Sequence, residues 1–230
     1  MATVLVTGAN RGIGLEFVQQ LLNRNDRVIA TCRDFVAAAD LQTLKSENPE
    51  LELLQLDATS DESIDQFASS LKGVAIDIFI NNAGVYGPRD AQFGNVTSES
   101  WAIVMQVNAI APLLLTQVLI DNFAKGKGKK LVYITSKMGS IEDNQGGGSY
   151  VYRSSKSALN AVVKSIAVDL GREGISAAVL HPGWVQTDMG GPSALIDTQT
   201  SVSGMLSVID NLDSENTGSF FNYDGTIIPW

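Results

Sequence analysis

The chain predicts an α/β fold: a doubly wound parallel sheet of six to seven strands with helices on both faces. Three observations carry this expectation. Short β-rich runs alternate with segments of three- to four-residue apolar spacing along most of the length. The first run leads directly into a glycine-rich turn. Hydrophobic residues make up 44% of the 230 positions, against 18% charged. Strands alternating with helices imply βαβ units, with right-handed crossovers and both sheet faces covered. So much core material with so little charge excludes a disordered chain. One domain spanning residues 1–230 is expected, because no linker, repeat or low-complexity stretch interrupts the pattern.

The elements follow in order. Thr3–Thr7 reads as a strand and Gly12–Arg24 as the first helix. Arg27–Thr31 and Leu51–Leu56 are the next strands, with a helix at Val36–Glu47 between them. A helix at Asp61–Leu71 leads to a strand at Ala75–Asn81, and Ser98–Phe123 follows as one long helix. A strand at Lys130–Ser136, a helix at Ser149–Gly171 and a strand at Gly174–Leu180 continue the alternation, and Ser219–Asn222 adds an edge strand. Gly146-Gly147-Gly148 is a flexible connection. Gly190–Thr200, rich in Gly, Ser and Thr, fits a mobile lid and equally an ordinary surface loop.

Charge and composition exclude several functions. A net charge of −9 disfavours a nucleic-acid surface, which needs clustered cations. The single cysteine, Cys32, cannot form an internal disulfide, and with one histidine, His181, it cannot build a four-ligand zinc site. No metal site is expected. Ala102–Ile120 is almost long enough to span a bilayer, but Gln106, Asn108, Pro112 and Gln117 would be costly in lipid. A helix buried in protein, at a subunit interface, is the expectation, and a soluble cytoplasmic chain follows. No Gly-x-Ser-x-Gly elbow occurs, so a serine hydrolase is disfavoured and His181 reads as a structural strand-end residue.

Chemistry concentrates at two places. Thr7-Gly8-Ala9-Asn10-Arg11-Gly12-Ile13-Gly14 lies between the first strand and first helix. Glycines there let the backbone turn sharply toward a pyrophosphate seated on unpaired helix N–H groups, as in a Rossmann-type fold. The second strand ends Ala30-Thr31-Cys32-Arg33-Asp34. An acid at that strand end accepts from a ribose 2′-hydroxyl, whereas Arg fits a 2′-phosphate. Arg33, with Arg11 as a second nearby cation, favours NADP(H) over NAD(H); Asp34 is the opposing signal. Further on, Tyr152 and Lys156 share one helix face at a spacing of four. An ammonium beside a phenol favours the phenolate and brings it toward acid–base use. Ser136, at a strand end, is placed to donate to a substrate carbonyl oxygen.

Together these motifs resemble the short-chain dehydrogenase/reductase family, in that family's order and from Thr3 to the C-terminus. Within it, Asn10-Arg11, Thr31–Asp34 and Phe220–Gly225 are similar to the sniffer-type carbonyl reductases and the bacterial C-factor group. The resemblance implies that Gly8, Asn10, Arg11, Gly12, Ile13 and Gly14 hold the cofactor phosphates. Asp57, with Ala58 beside it, would meet adenine, and Asn81, Asn82, Ala83 and Gly84 would support the sheet there. Asn108 would hold a water that links Lys156 to solvent. Pro182, Val185 and Thr187 would border the nicotinamide. Ser136 and Tyr152 stand 16 residues apart, wider than is common in the family, and the Gly146–Gly148 insertion absorbs the difference. Tyr150 is the rival tyrosine but has Ser154, not lysine, four residues later. The expected activity is an NADPH-dependent reductase of a small carbonyl or alcohol substrate, as a homodimer or homotetramer. The alternative is a non-catalytic NAD(P)-binding regulator. Met138, Tyr86, Phe93, Trp184 and Met189 are candidate walls of the substrate pocket.

Overall fold

The computed structural model describes residues 1–230. From the N-terminus, β1 (Thr3–Val6), α1 (Gly12–Asn23), β2 (Arg27–Cys32), α2 (Ala39–Glu47), β3 (Glu52–Gln55), α3 (Asp61–Ser70) and β4 (Ile78–Asn81) alternate without exception. A long helical stretch follows: α4 (Ser98–Met105), a π-helical turn at Gln106–Ile110, α5 (Ala111–Val118) and α6 (Ile120–Lys125). Then come β5 (Lys130–Ile134), α7 (Tyr150–Gly171), β6 (Ser176–His181), α8 (Thr198–Asp210) and β7 (Phe220–Asn222).

All seven strands are parallel, in the order β3-β2-β1-β4-β5-β6-β7. The period of two along each strand sorts side chains between two cores. Val4, Val6, Val28, Ala30, Ile78 and Ile80 pack toward α1, α2 and α8. Leu5, Ile29, Phe79, Leu131, Tyr133 and Val179 pack on the other face, with α3, α5 and α7. The strand order reverses direction between β1 and β4, which opens a crevice at their C-terminal ends.

Three differences from the sequence reading matter. The predicted helix Ser98–Phe123 is not uniform: it widens at Gln106–Ile110 and breaks at Leu119. Pro112 supplies a reason for the widening, since it has no N–H for the carbonyl four residues back, at Asn108, and its ring crowds that carbonyl. Residues Ser98–Val118 are long and apolar enough to cross a membrane, yet here they pack against α3 and α7. Second, α8 was not anticipated. Its signal was present: Asp197 caps the helix by accepting from Thr200 N at 2.7 Å, and Val202, Met205, Leu206 and Ile209 recur at helical spacing. The Gly190–Thr200 segment therefore ends inside a helix. Third, β2 runs one residue further than expected, to Cys32, so Arg33 is the first residue past the strand.

Candidate active site

The glycine loop is built by close approach. Gly8 lies in the left-handed region at φ +64°, and a Cβ there would stand 2.8 Å from Ala83 Cα. A Cβ on Gly14 would overlap the Gly8 carbonyl. Thr7 ties this loop to the turn after β4: its hydroxyl donates to Asn81 Oδ1 at 3.2 Å and accepts from the N–H groups of Asn82 and Ala83, each at 3.1 Å. Asn82 Nδ2 returns hydrogen bonds to the carbonyls of Thr7 and Gly8. Asn81, Ala83 and Gly84 thus frame the β1/β4 crevice together with the loop.

The first turn of α1 is open to an anion. Its N-cap, Arg11, is extended and makes no side-chain cap, and the turn carries no acidic residue. Asn10 and Ile13 line the loop partly buried, with Ile13 packed on the core. A Cβ on Gly12 would sit 3.3 Å from Thr187 Cγ2, so the segment after β6 closes on the glycine loop. These residues fit a dinucleotide pyrophosphate.

Arg33 is exposed just past β2 and takes part in none of the protein's ion pairs. Asp34, the opposing signal, spends its Oδ1 on the N–H of Val36 at 2.8 Å. Asp57 Oδ1 accepts from Thr59 N and Thr59 Oγ1, which holds its carboxyl below the usual range, and the Arg33 charge adds to this. Arg33 and Asp57 are thereby neighbours, with Ala58 packed partly buried beside them. Arg11 departs from expectation. Its guanidinium pairs with Asp188 at 2.5 Å, so it reaches toward the segment after β6 and is not a second unpaired cation next to Arg33.

The second cluster sits where β5 meets α7. Tyr152 and Lys156 are buried in the first turns of α7, and Ser136 is buried just past β5. Lys156 Nζ donates to the Ile134 carbonyl at 2.9 Å and stands 5.9 Å from the Tyr152 ring centroid. Burial depresses the Lys156 ammonium to about 8. Burial likewise pushes the Tyr152 phenol up to about 12, while the Ser136 hydroxyl works the other way. The direction is opposite to the lowering expected beside Lys156, because desolvation is the largest influence on the buried phenol.

Asn108 belongs to the same cluster through the π-helical turn. Its Nδ2 donates to the Val85 carbonyl at 2.8 Å and to Ser155 Oγ at 2.9 Å, and its Oδ1 accepts from Val85 N. The side chain therefore clamps the helix to α7 and to the turn after β4. Asn108 Oδ1 and Lys156 Nζ lie 3.3 and 3.4 Å from where a Gly84 Cβ would stand, so only glycine leaves both groups undisturbed.

Pro182 and Val185 are buried after β6, and the Pro182 carbonyl accepts from Ser201 Oγ of α8 at 2.6 Å. Trp184 and Met189 are half exposed, with Trp184 Nε1 donating to the Gly190 carbonyl at 2.8 Å. Met138 is partly buried after β5, whereas Phe93 is 88% exposed and leans on Tyr150. Sequence reasoning missed Asp188 and Ser155. Neither lies in a pattern that marks it, since each acts through a partner far along the chain.

A parallel sheet with a glycine cradle at its switch point, and a buried tyrosine and lysine beside it, defines the class of dinucleotide-dependent oxidoreductases. The profile of the short chain dehydrogenases matches residues 2–195, and the chain belongs to that family. It is 45% identical to C-signal of Myxococcus xanthus over 164 residues, covering 71% of this chain and 98% of that protein. The carbonyl reductase Sniffer of D. melanogaster superposes with a TM-score of 0.95 at 35% identity, over the whole of both chains. The NADPH-bound carbonyl reductase from chicken fatty liver gives 0.94 at 38%, covering 100% of this chain and 99% of that one.

Proposed function

We propose that this oxidoreductase is an NADPH-dependent carbonyl reductase, with Tyr152 as the proton donor. One observation carries the reading: a buried tyrosine, with the Ser136 hydroxyl and the Lys156 ammonium beside it, sits near the crevice that the glycine loop frames. Bound nicotinamide supplies the hydride. Ser136 orients the substrate oxygen and stabilises the charge that develops there. Tyr152 delivers its proton to that oxygen, and burial keeps that proton in place at neutral pH. Lys156, fixed by the Ile134 carbonyl, would hold the ribose and is placed to resupply the proton, with Asn108 holding the surrounding backbone in register. Preference for NADP(H) rests on Arg33, unpaired past β2, and on the likeness to an NADPH-bound carbonyl reductase. Turnover of a panel of aldehydes, ketones and quinones with both cofactors tests the proposal. NADPH oxidation dependent on one of these carbonyls supports it, and none with any member rejects it.

The likeness to a protein called C-signal favours a second reading, a regulator that binds the dinucleotide without turnover. The same panel separates the two. A regulator binds NADPH and oxidises none of it.

A further inference from the structure

A second tyrosine lies against the first. The Tyr86 ring stacks on Tyr152, centroids 4.5 Å apart and planes at 26°. The Tyr86 hydroxyl meets the Ser149 hydroxyl at 2.9 Å. Ser149 is the N-cap of α7, the helix that carries Tyr152, and it makes no side-chain cap to its own helix. It also sits in the left-handed region, at φ 46° and ψ 40°, which serine rarely adopts. Serine at an N-cap ordinarily bonds the first turn. Here the cap is given up and the backbone strained, while the hydroxyl goes to Tyr86. Strain of this kind persists where surrounding structure imposes it, most often at functional sites.

The stack has an outer layer. With one face of Tyr86 against Tyr152, the other is left to Arg89, whose guanidinium carbon stands 5.4 Å from the ring centroid. Arg89 Nη2 donates to the Met189 carbonyl at 2.9 Å, in the segment between β6 and α8. A chain of contacts therefore runs from that segment through Arg89 and Tyr86 to the Tyr152 ring.

We propose that Tyr86 is a positioning residue for Tyr152, and that Arg89 couples this positioning to the segment around Met189. Its catalytic consequence rests on the carbonyl reductase reading above. Tyr152 is faced by the Lys156 ammonium from its own helix, by the Ser136 hydroxyl from the end of β5, and by Tyr86, with Arg89 behind it. The stacked ring fixes the phenol's aim at Ser136 and keeps water off one face. Burial under the ring disfavours phenolate, and the ionisable Tyr86 oxygen adds a coulombic effect of the same sign.

Two measurements on Tyr86→Ala, Tyr86→Phe and Arg89→Ala test this. The first is an ultraviolet titration of each protein minus its Tyr152→Phe counterpart, which reports Tyr152 ionisation whether or not the protein turns anything over. Tyr152 should ionise at lower pH in Tyr86→Ala, and Tyr86→Phe, which keeps the stack but not the Tyr86 oxygen, should fall between it and the wild type. The second is steady-state kinetics with NADPH and an active carbonyl. Tyr86→Ala should lower kcat roughly three- to tenfold, the range for losing one aromatic pair. Its NADPH dissociation constant should stay unchanged, and Tyr86→Phe should restore most of kcat. Arg89→Ala should raise the carbonyl KM with a smaller loss of kcat. An unshifted titration in Tyr86→Ala, or equal impairment in Tyr86→Phe, overturns the proposal. A wild type that reduces no carbonyl rejects the activity, while the titration still decides the role of Tyr86.

Discussion

The Arg11 guanidinium and the Asp188 carboxylate meet at 2.5 Å, joining the glycine loop to the segment after β6. Both side chains are about three-quarters exposed, at 70% and 75%. Such a pair contributes little to stability, since water and salt screen it. Its consequence is for recognition: one of the two arginines expected at a 2′-phosphate already has an anionic partner.

On the NADPH reading proposed above, discrimination between cofactors would therefore fall on Arg33. Charge-assisted hydrogen bonds are worth ~1.5–3 kcal/mol, and a decade in affinity is ~1.4 kcal/mol. Arg33→Ala should weaken NADPH binding roughly ten- to a hundredfold and leave NADH binding nearly unchanged. Arg11→Ala should cost less, because Asp188 already occupies its guanidinium. Dissociation constants at fixed ionic strength check this. Equal losses for both cofactors in Arg33→Ala, or a wild type that prefers NADH, point to Asp34 on the ribose.

Tyr152→Phe keeps the ring, and so the stack with Tyr86, but removes the proton. Carbonyl turnover should vanish while NADPH binding stays within about twofold, well under the tenfold that ~1.4 kcal/mol would bring. Retention of near wild-type kcat would reassign the acid.

Acid should destabilise the fold through His181. Burial, with help from Lys137, depresses its pKa from 6.5 to about 4, and its Nδ1 is buried without a partner. Between those values the unfolded chain binds a proton that the folded chain does not. Stability is therefore highest above pH 6.5, falls as pH drops, and loses about 3 kcal/mol in full once pH is below 4. Denaturant titrations across this window should show the wild type losing this increment of stability as pH falls while His181→Asn keeps it. Parallel curves would show that His181 titrates alike in both states.

The α4–α5 helix leaves Trp101, Ile103, Ile110, Leu113 and Val118 exposed on a chain otherwise low in charge. Light scattering at micromolar concentration should give a mass at least twice the 24.5 kDa of one chain. A monomer mass would leave this face without a partner of its own kind.

Local patterns determined most of the architecture. Alternating apolar runs located all seven strands, and glycine spacing located the phosphate cradle, because both depend on residues close together in the chain. The Tyr152/Lys156 pair was legible for the same reason, being one helical turn apart. The α8 helix was missed although its cap and apolar spacing were present, since the Gly-, Ser- and Thr-rich stretch before it masked its start. Tertiary structure alone decided the electrostatics. Whether Tyr152 moves up or down depends on what surrounds it, and burial is the largest influence there. It also decided partners, setting Asp188 against Arg11 from 177 residues away and Tyr86 against Tyr152. Spacing along a helix fixes a face, but only folding brings distant segments within van der Waals reach, and desolvation exists only once they are there.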